Sequence, residues 1–93
     1  MRHHCTLPED MFASSLAPMA LQLEAVLLDG PERIEIDAHA LTCIDGVGMQ
    51  LLYVFARDAR TAGKTVIWHG AGPRFVEAAK ILGMAEGLAL ENQ

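Results

Sequence analysis

Leu41-Thr-Cys-Ile-Asp45-Gly-Val-Gly48-Met-Gln-Leu-Leu-Tyr-Val-Phe55 is a short apolar run that stops at an acid, turns on two glycines and continues with helical spacing. It reads as a strand-to-helix junction. Residues at such a junction are held by the scaffold yet stand at its rim, where α/β domains commonly place function. Asp45 to Gly48 is therefore the first candidate for a functional loop. From Gly48 the spacing predicts a helix to about Ala62, with Leu52, Phe55, Ala59 and Ala62 as its inward stripe and Gln50, Tyr53, Arg57, Arg60 and Lys64 outward. Gly63 is placed to close it.

Working outward, Arg33-Ile-Glu-Ile-Asp37 alternates charged and apolar residues. That is a strand with Ile34 and Ile36 on one buried face and Arg33, Glu35 and Asp37 on the other. A parallel strand covered on both sides would be apolar throughout, so the alternation predicts helices on one face only, the second face being open to solvent or covered by a partner. Before it, Leu16, Met19, Ala20, Leu23, Val26 and Leu27 fall at helical spacing, with Ser14 or Ser15 as the cap, Pro18 in the permitted first turn and Gly30-Pro31 as the end. The segment His3 to Leu7, stopped by Pro8, reads as a modest edge strand.

After the central helix, Thr65-Val-Ile-Trp-His69 is a strand by its β-branched and aromatic composition. Gly70-Ala-Gly-Pro73 turns it into a helix from Pro73 to about Leu82 that buries Phe75, Val76, Ala79 and Leu82. Leu88-Ala-Leu90 would then add a last short strand. Strand and helix in alternation predict an α/β architecture: a mostly parallel sheet of about four strands, connected by right-handed crossovers, with helices on one side.

The whole chain sets bounds on what this domain does. Its 93 residues fit one domain, and 52% hydrophobic with 20% charged residues is a globular balance. The longest apolar stretch, Leu16 to Leu28, is interrupted by Gln22 and Glu24 and contains Pro18, so no membrane span of about 20 apolar residues is expected. No signal-peptide core is legible near Met1, and a soluble, cytoplasmic protein is the expectation. A net charge of −5 argues against a nucleic-acid partner, which would require a basic footprint. Two cysteines, Cys5 and Cys43, read as free thiols, with Cys43 on a run expected to be buried.

Among residues with chemistry, Asp45 is either a phosphoaccepting or catalytic carboxylate or, more plainly, the acid that caps the following helix. Asp37 and Asp45 together do not make a receiver-type pocket, because no lysine stands at a later strand end. Gly70, Gly72 and Arg74 sit where a helix start could attract an anion weakly, but they match neither the dinucleotide nor the P-loop pattern. Met1, Arg2 and His3 could chelate Cu(II) or Ni(II) adventitiously. His39 and His69 have no ligand-spaced partner, so neither a metal site nor a cofactor is expected. Met49, Gln50 and Tyr53 form an apolar-plus-amide patch near the junction, which suits docking better than catalysis.

The Ile44-Asp45 pair, the glycine turn, a helix opening with hydrophobic and glutamine residues, and Ala62-Gly63-Lys64 before a strand together resemble the STAS domain, the sulfate-transporter and anti-sigma-factor-antagonist family. The resemblance runs from about Leu7 to Leu90 and includes Ile81-Leu-Gly-Met84, which is similar to the family's closing leucine-glycine turn. It implies a four- or five-stranded sheet with helices on one face, and a non-enzymatic binding role. In phosphoswitching members the residue after the aspartate is a serine or threonine phosphorylated by a kinase-like partner. Here that position is Gly46, and Val47 has no hydroxyl either.

The partners the resemblance implies are a kinase-like anti-sigma factor, a chemotaxis-type signalling protein, or the ATPase of a lipid-transporting system; the compact length resembles the last, stripped-down type. Asp45, Gly46, Val47, Gly48, Met49, Gln50 and Tyr53 are the residues expected to meet the partner, without phosphorylation at the loop. A small-ligand or nucleotide-binding domain using the Gly70 to Pro73 turn is the competing reading. A homodimer formed through the sheet edge that a shortened N-terminal strand leaves unprotected is a further expectation.

Overall fold

The structure is a computed structural model, and it describes residues 5–30, 32–88 and 90. The apolar alternation of Arg33–Asp37 makes the central strand, β3, whose Ile34 and Ile36 are completely buried. On one side it pairs in parallel with β1 (Cys5–Thr6), and on the other with β5 (Thr65–His69), giving the order β1-β3-β5. A second parallel pair joins β2 (Asp10–Met11) to β4 (Cys43–Ile44). Among the described residues the predicted single sheet of about four strands is thus a three-stranded sheet and a separate two-stranded pair.

Leu7 N–H still donates to Asp37 O, at 2.8 Å, but His39 N–H, which would carry that ladder on, donates to Asp37 Oδ1 instead. Beyond it the chain changes partner: Glu9 O accepts from Thr42 N–H and Cys43 N–H, and Asp45 N–H donates to Met11 O. The segment 5–11 therefore serves β3 with its first half and β4 with its second. The part of the expected edge strand at His3 and His4 lies outside the described residues.

Among the described residues four helices follow the strands: α1 (Ala17–Asp29), α2 (Gly46–Thr61), α3 (Pro73–Ile81) and α4 (Ala85–Leu88). All four meet the face that carries Ile34, Ile36 and Trp68. Cys5 touches Met19 of α1, Phe75 of α3 lies against Trp68 with ring centroids 5.8 Å apart, and Trp68 Nε1–H donates to Leu88 O of α4 at 2.7 Å. Leu52 and Ala59 of α2 are fully buried in the same core. The expectation of helices on one face holds.

The opposite face carries Arg33, Glu35, Asp37, Ile67 and His69, and here the expectation of an open surface fails at one residue. Glu35 is only 7% exposed. Arg33 Nε–H donates to its Oε2 at 3.0 Å and His69 Nε2 pairs with its Oε1, so the charge is enclosed by bonding groups rather than left in solvent. These contacts hold the Glu35 carboxyl below the usual glutamate range, through the His69 hydrogen bond first and the Arg33 bond second.

Several local expectations are corrected. Neither Ser14 nor Ser15 caps α1; both belong to a 3-10 turn, Ala13–Ser15, and the helix starts after Leu16 with no side-chain cap. Pro18 near the start already removes one of the amides a cap would satisfy. Leu88-Ala-Leu90 is not a strand: Leu88 ends α4, Leu90 lies in a 3-10 turn, and Ala89 lies outside the described residues. Leu82 is 50% exposed instead of buried, and Cys43 is exposed rather than in the core. The Cys5 thiol, by contrast, is buried, and burial raises its pKa to about 11.

Candidate functional site

The junction at Asp45 is built by hydrogen bonds before it is built by side-chain packing. Asp45 has extended backbone and is the N-cap of α2: its Oδ1 accepts from Gly48 N–H at 2.8 Å, and its C=O accepts from Met49 N–H. Its Oδ2 accepts from Ala13 N–H at 2.9 Å, tying the helix start to the turn after β2. Those two amides, Gly48 first, hold the Asp45 carboxyl below the usual aspartate range. The carboxylate is therefore ionised and engaged at both oxygens, a structural cap by its contacts.

The two glycines beside it differ in kind. A Cβ at Gly48 would press on the Met11 carbonyl oxygen and come within 2.9 Å of Ile44 Cγ1, so α2 approaches β2 and β4 only because that side chain is missing. A Cβ at Gly46 would meet nothing within 4 Å. Gly46 is exposed, and the space in front of it is open. Nothing steric forbids a serine there; the hydroxyl is simply not encoded.

The residues expected to face a partner divide into two groups. Val47 is 54% exposed and Gln50 is exposed. Met49 is not on the rim, being 1% exposed in the core. Tyr53 is half-buried, its ring lying where a Cβ on Gly87 of α4 would go, so it faces α4 rather than solvent. The helix begins two residues earlier than predicted, at Gly46, and this first turn carries Met49 inward on the stripe of Leu52 and Phe55.

Around Val47 and Gln50 the structure adds residues that the sequence reading assigned to α1 packing or left unassigned. Leu16, Ala17 and Ala20 of the α1 start, with Leu51 and Val54 of α2, line an apolar groove of about 400 Å³ between the two helices, with Val47 and Gln50 on its α2 side. Ala17 and Ala20 are the small residues that leave room for it. Their three-residue spacing on one helical face was the available signal.

At the other candidate site, Gly70 has a φ of +75° and receives the ring of His39 in the place of a side chain. His39 is itself held by Asp37 Oδ1, which accepts from its backbone N–H at 2.9 Å and lies 2.7 Å from its Nδ1. Gly70 is thus a turn residue. Gly72 is the N-cap of α3, without a side-chain cap, and Arg74 follows in the first turn. Arg74 lines a cleft of about 290 Å³ with Phe12, Leu41, Thr42 and Phe75, so Gly72 and Arg74 come together beside a cavity while Gly70 does not join them. Among the described residues no cluster of three or more His, Cys, Asp or Glu could hold a metal ion. No described helix is long and apolar enough to cross a membrane.

No family model matches this sequence, and no curated protein matches it closely enough to serve as a relative. Among solved structures, a sulfate transporter family protein from Wolinella succinogenes is similar at a TM-score of 0.73 and 22% sequence identity, over 89% of this chain and 67% of that one. A likeness at that identity establishes the fold: parallel strands with helices on one face, in a STAS-like arrangement.

Proposed function

We propose that this chain is a non-catalytic protein-interaction module, similar in role to anti-sigma factor antagonists, that docks a regulatory partner through the start of α2 and the groove between α1 and α2. One observation carries the reading: the groove beside the Asp45 cap is lined almost wholly by apolar side chains and flanked by the exposed Val47. An apolar patch at a rigid helix start suits desolvated docking contacts. Asp45 contributes by fixing that start, since both its oxygens are already occupied by backbone amides.

Gly46 makes the docking constitutive at this loop. A phosphate there would add a charge of about −1.5 to −2 next to the groove, and glycine removes that means of release. A signalling kinase, a sigma-control protein and a transporter ATPase would all use the same surface. Purification of the tagged protein and of a Val47→Asp variant from the native cell tests the reading: the partner should co-elute with the first and be lost from the second. Equal recovery would count against it, and phosphate found on the loop would contradict constitutive docking.

A second reading rests on the cleft beside Arg74, where an exposed guanidinium and the uncapped start of α3 adjoin apolar walls. It makes the chain a binder of small anions or nucleotides. Calorimetry that gives no heat with nucleotides or inorganic phosphate removes it.

A further inference from the structure

Among the described residues the outer edge of β5 is open: in the order β1-β3-β5 this five-residue strand has a neighbour on one side only. Thr65 N–H donates to Glu32 O and His69 O accepts from Ala38 N–H, both at 2.7 Å, which fixes the parity of the strand. Thr65, Ile67 and His69 turn their backbone groups toward β3, so Val66 and Trp68 turn theirs outward. Among the described residues, no backbone group bonds to that outward edge.

Edge strands are usually guarded by lysine, proline, a bulge or a cover. Thr65-Val-Ile-Trp-His69 contains no lysine, no acid and no proline. The adjacent Lys64 does not guard it, because its Nζ donates to Gly30 O at 3.0 Å. The opposite edge is a poor template by comparison: β1 has two residues and stops before Pro8.

We propose that a second copy of this chain adds its β5 antiparallel to this edge, across a two-fold axis through Ile67. The sequence is complementary to itself in that register. Val66 of each copy stands opposite Trp68 of the other, and both present outward N–H and C=O groups, so the two pairs exchange four backbone hydrogen bonds. Ile67 meets its own counterpart at the axis in the closer, non-hydrogen-bonded position, on the face opposite Trp68. Thr65 pairs with His69, and no like charges are brought together. The contact is isologous, so it closes at a dimer and joins two three-stranded sheets into one of six.

The test combines mass and amide exchange on the full chain. Sedimentation equilibrium over a concentration series should give twice the 10.1 kDa chain mass. Ile67→Lys and Ile67→Glu should each be monomeric, because like charges then face each other at the axis, and an equimolar mixture should recover the dimer. In the unmodified chain, hydrogen exchange at the amides of Val66 and Trp68 should slow by at least about tenfold as concentration rises through the dimer transition. A monomer at every concentration overturns the proposal. So does a dimer that Ile67→Lys, shown folded by circular dichroism, leaves intact, or one in which those two amides exchange at a rate independent of concentration. If the charged variants fail to fold, the amide measurement decides alone.

Discussion

A single carboxylate organises the junction, and its protonation should be visible in stability. The folded pKa of Asp45 is depressed, so its contribution is complete above the ordinary aspartate value of about 3.9 and is lost as pH falls through the lower folded value. Glu35 acts with the same sign. Urea midpoints measured from neutral pH downward should therefore fall steeply below about pH 4, and the fall should be shallower in Asp45→Asn and in Glu35→Gln. An acid limb of unchanged slope in both variants would show that neither carboxylate is bonded as described. The two glycines should separate just as clearly. Gly48→Ala forces a side chain against Met11 and Ile44 and should cost about 1–3 kcal/mol, whereas Gly46→Ser enters open space and should stay within about 0.5 kcal/mol. Thermal or chemical unfolding of the pair reads the difference. The cap at Asp45 and the glycine turn were legible in the sequence, because an acid before a helix start has few other local uses. The different demands on Gly46 and Gly48 were not, since one depends on β2, a strand more than thirty residues earlier in the chain.

At the scale of elements, the strong periodicities carried most of the fold. The α1 stripe, the α2 stripe as far as Ala59, β3 and β5 stand where the spacing put them, with boundaries shifted by a residue or two, whereas Ala62, expected inward, is the exposed C-cap after α2. Placing the α2 start at Gly48 rather than at the Asp45 cap concealed that Met49 lies one turn before Leu52 on the buried stripe. Pro8 marked a strand end correctly, but the change of partner from β3 to β4 over the next residues is a tertiary event without a local signal. Leu88-Ala-Leu90 failed for a different reason: three residues are too few for periodicity to separate strand from helix. What decides it is Trp68, whose indole N–H holds the Leu88 carbonyl at the end of α4. Trp68→Phe should leave that acceptor unsatisfied and cost about 1–3 kcal/mol, with faster amide exchange in α4 than elsewhere in the chain. Uniform loosening of the whole chain would show that the bond is not specific to α4.

Over the whole molecule, the helices gather on one face of the sheet and leave the α2 start and the α1–α2 groove accessible beside the rigid Asp45 junction. The chain carries a net charge of −5, and the groove beside the junction is apolar. The α1–α2 groove and the β5 edge are built from different elements, so partner docking and self-association can be tested separately. The most direct test of the docking account is the affinity of the captured partner for three forms of the protein: unmodified, Val47→Asp in the groove, and Leu28→Asp at a residue 72% exposed outside it. The account predicts at least about tenfold weaker binding for Val47→Asp and unchanged binding for Leu28→Asp. Equal affinity of Val47→Asp and the unmodified chain, with both folded, would contradict it.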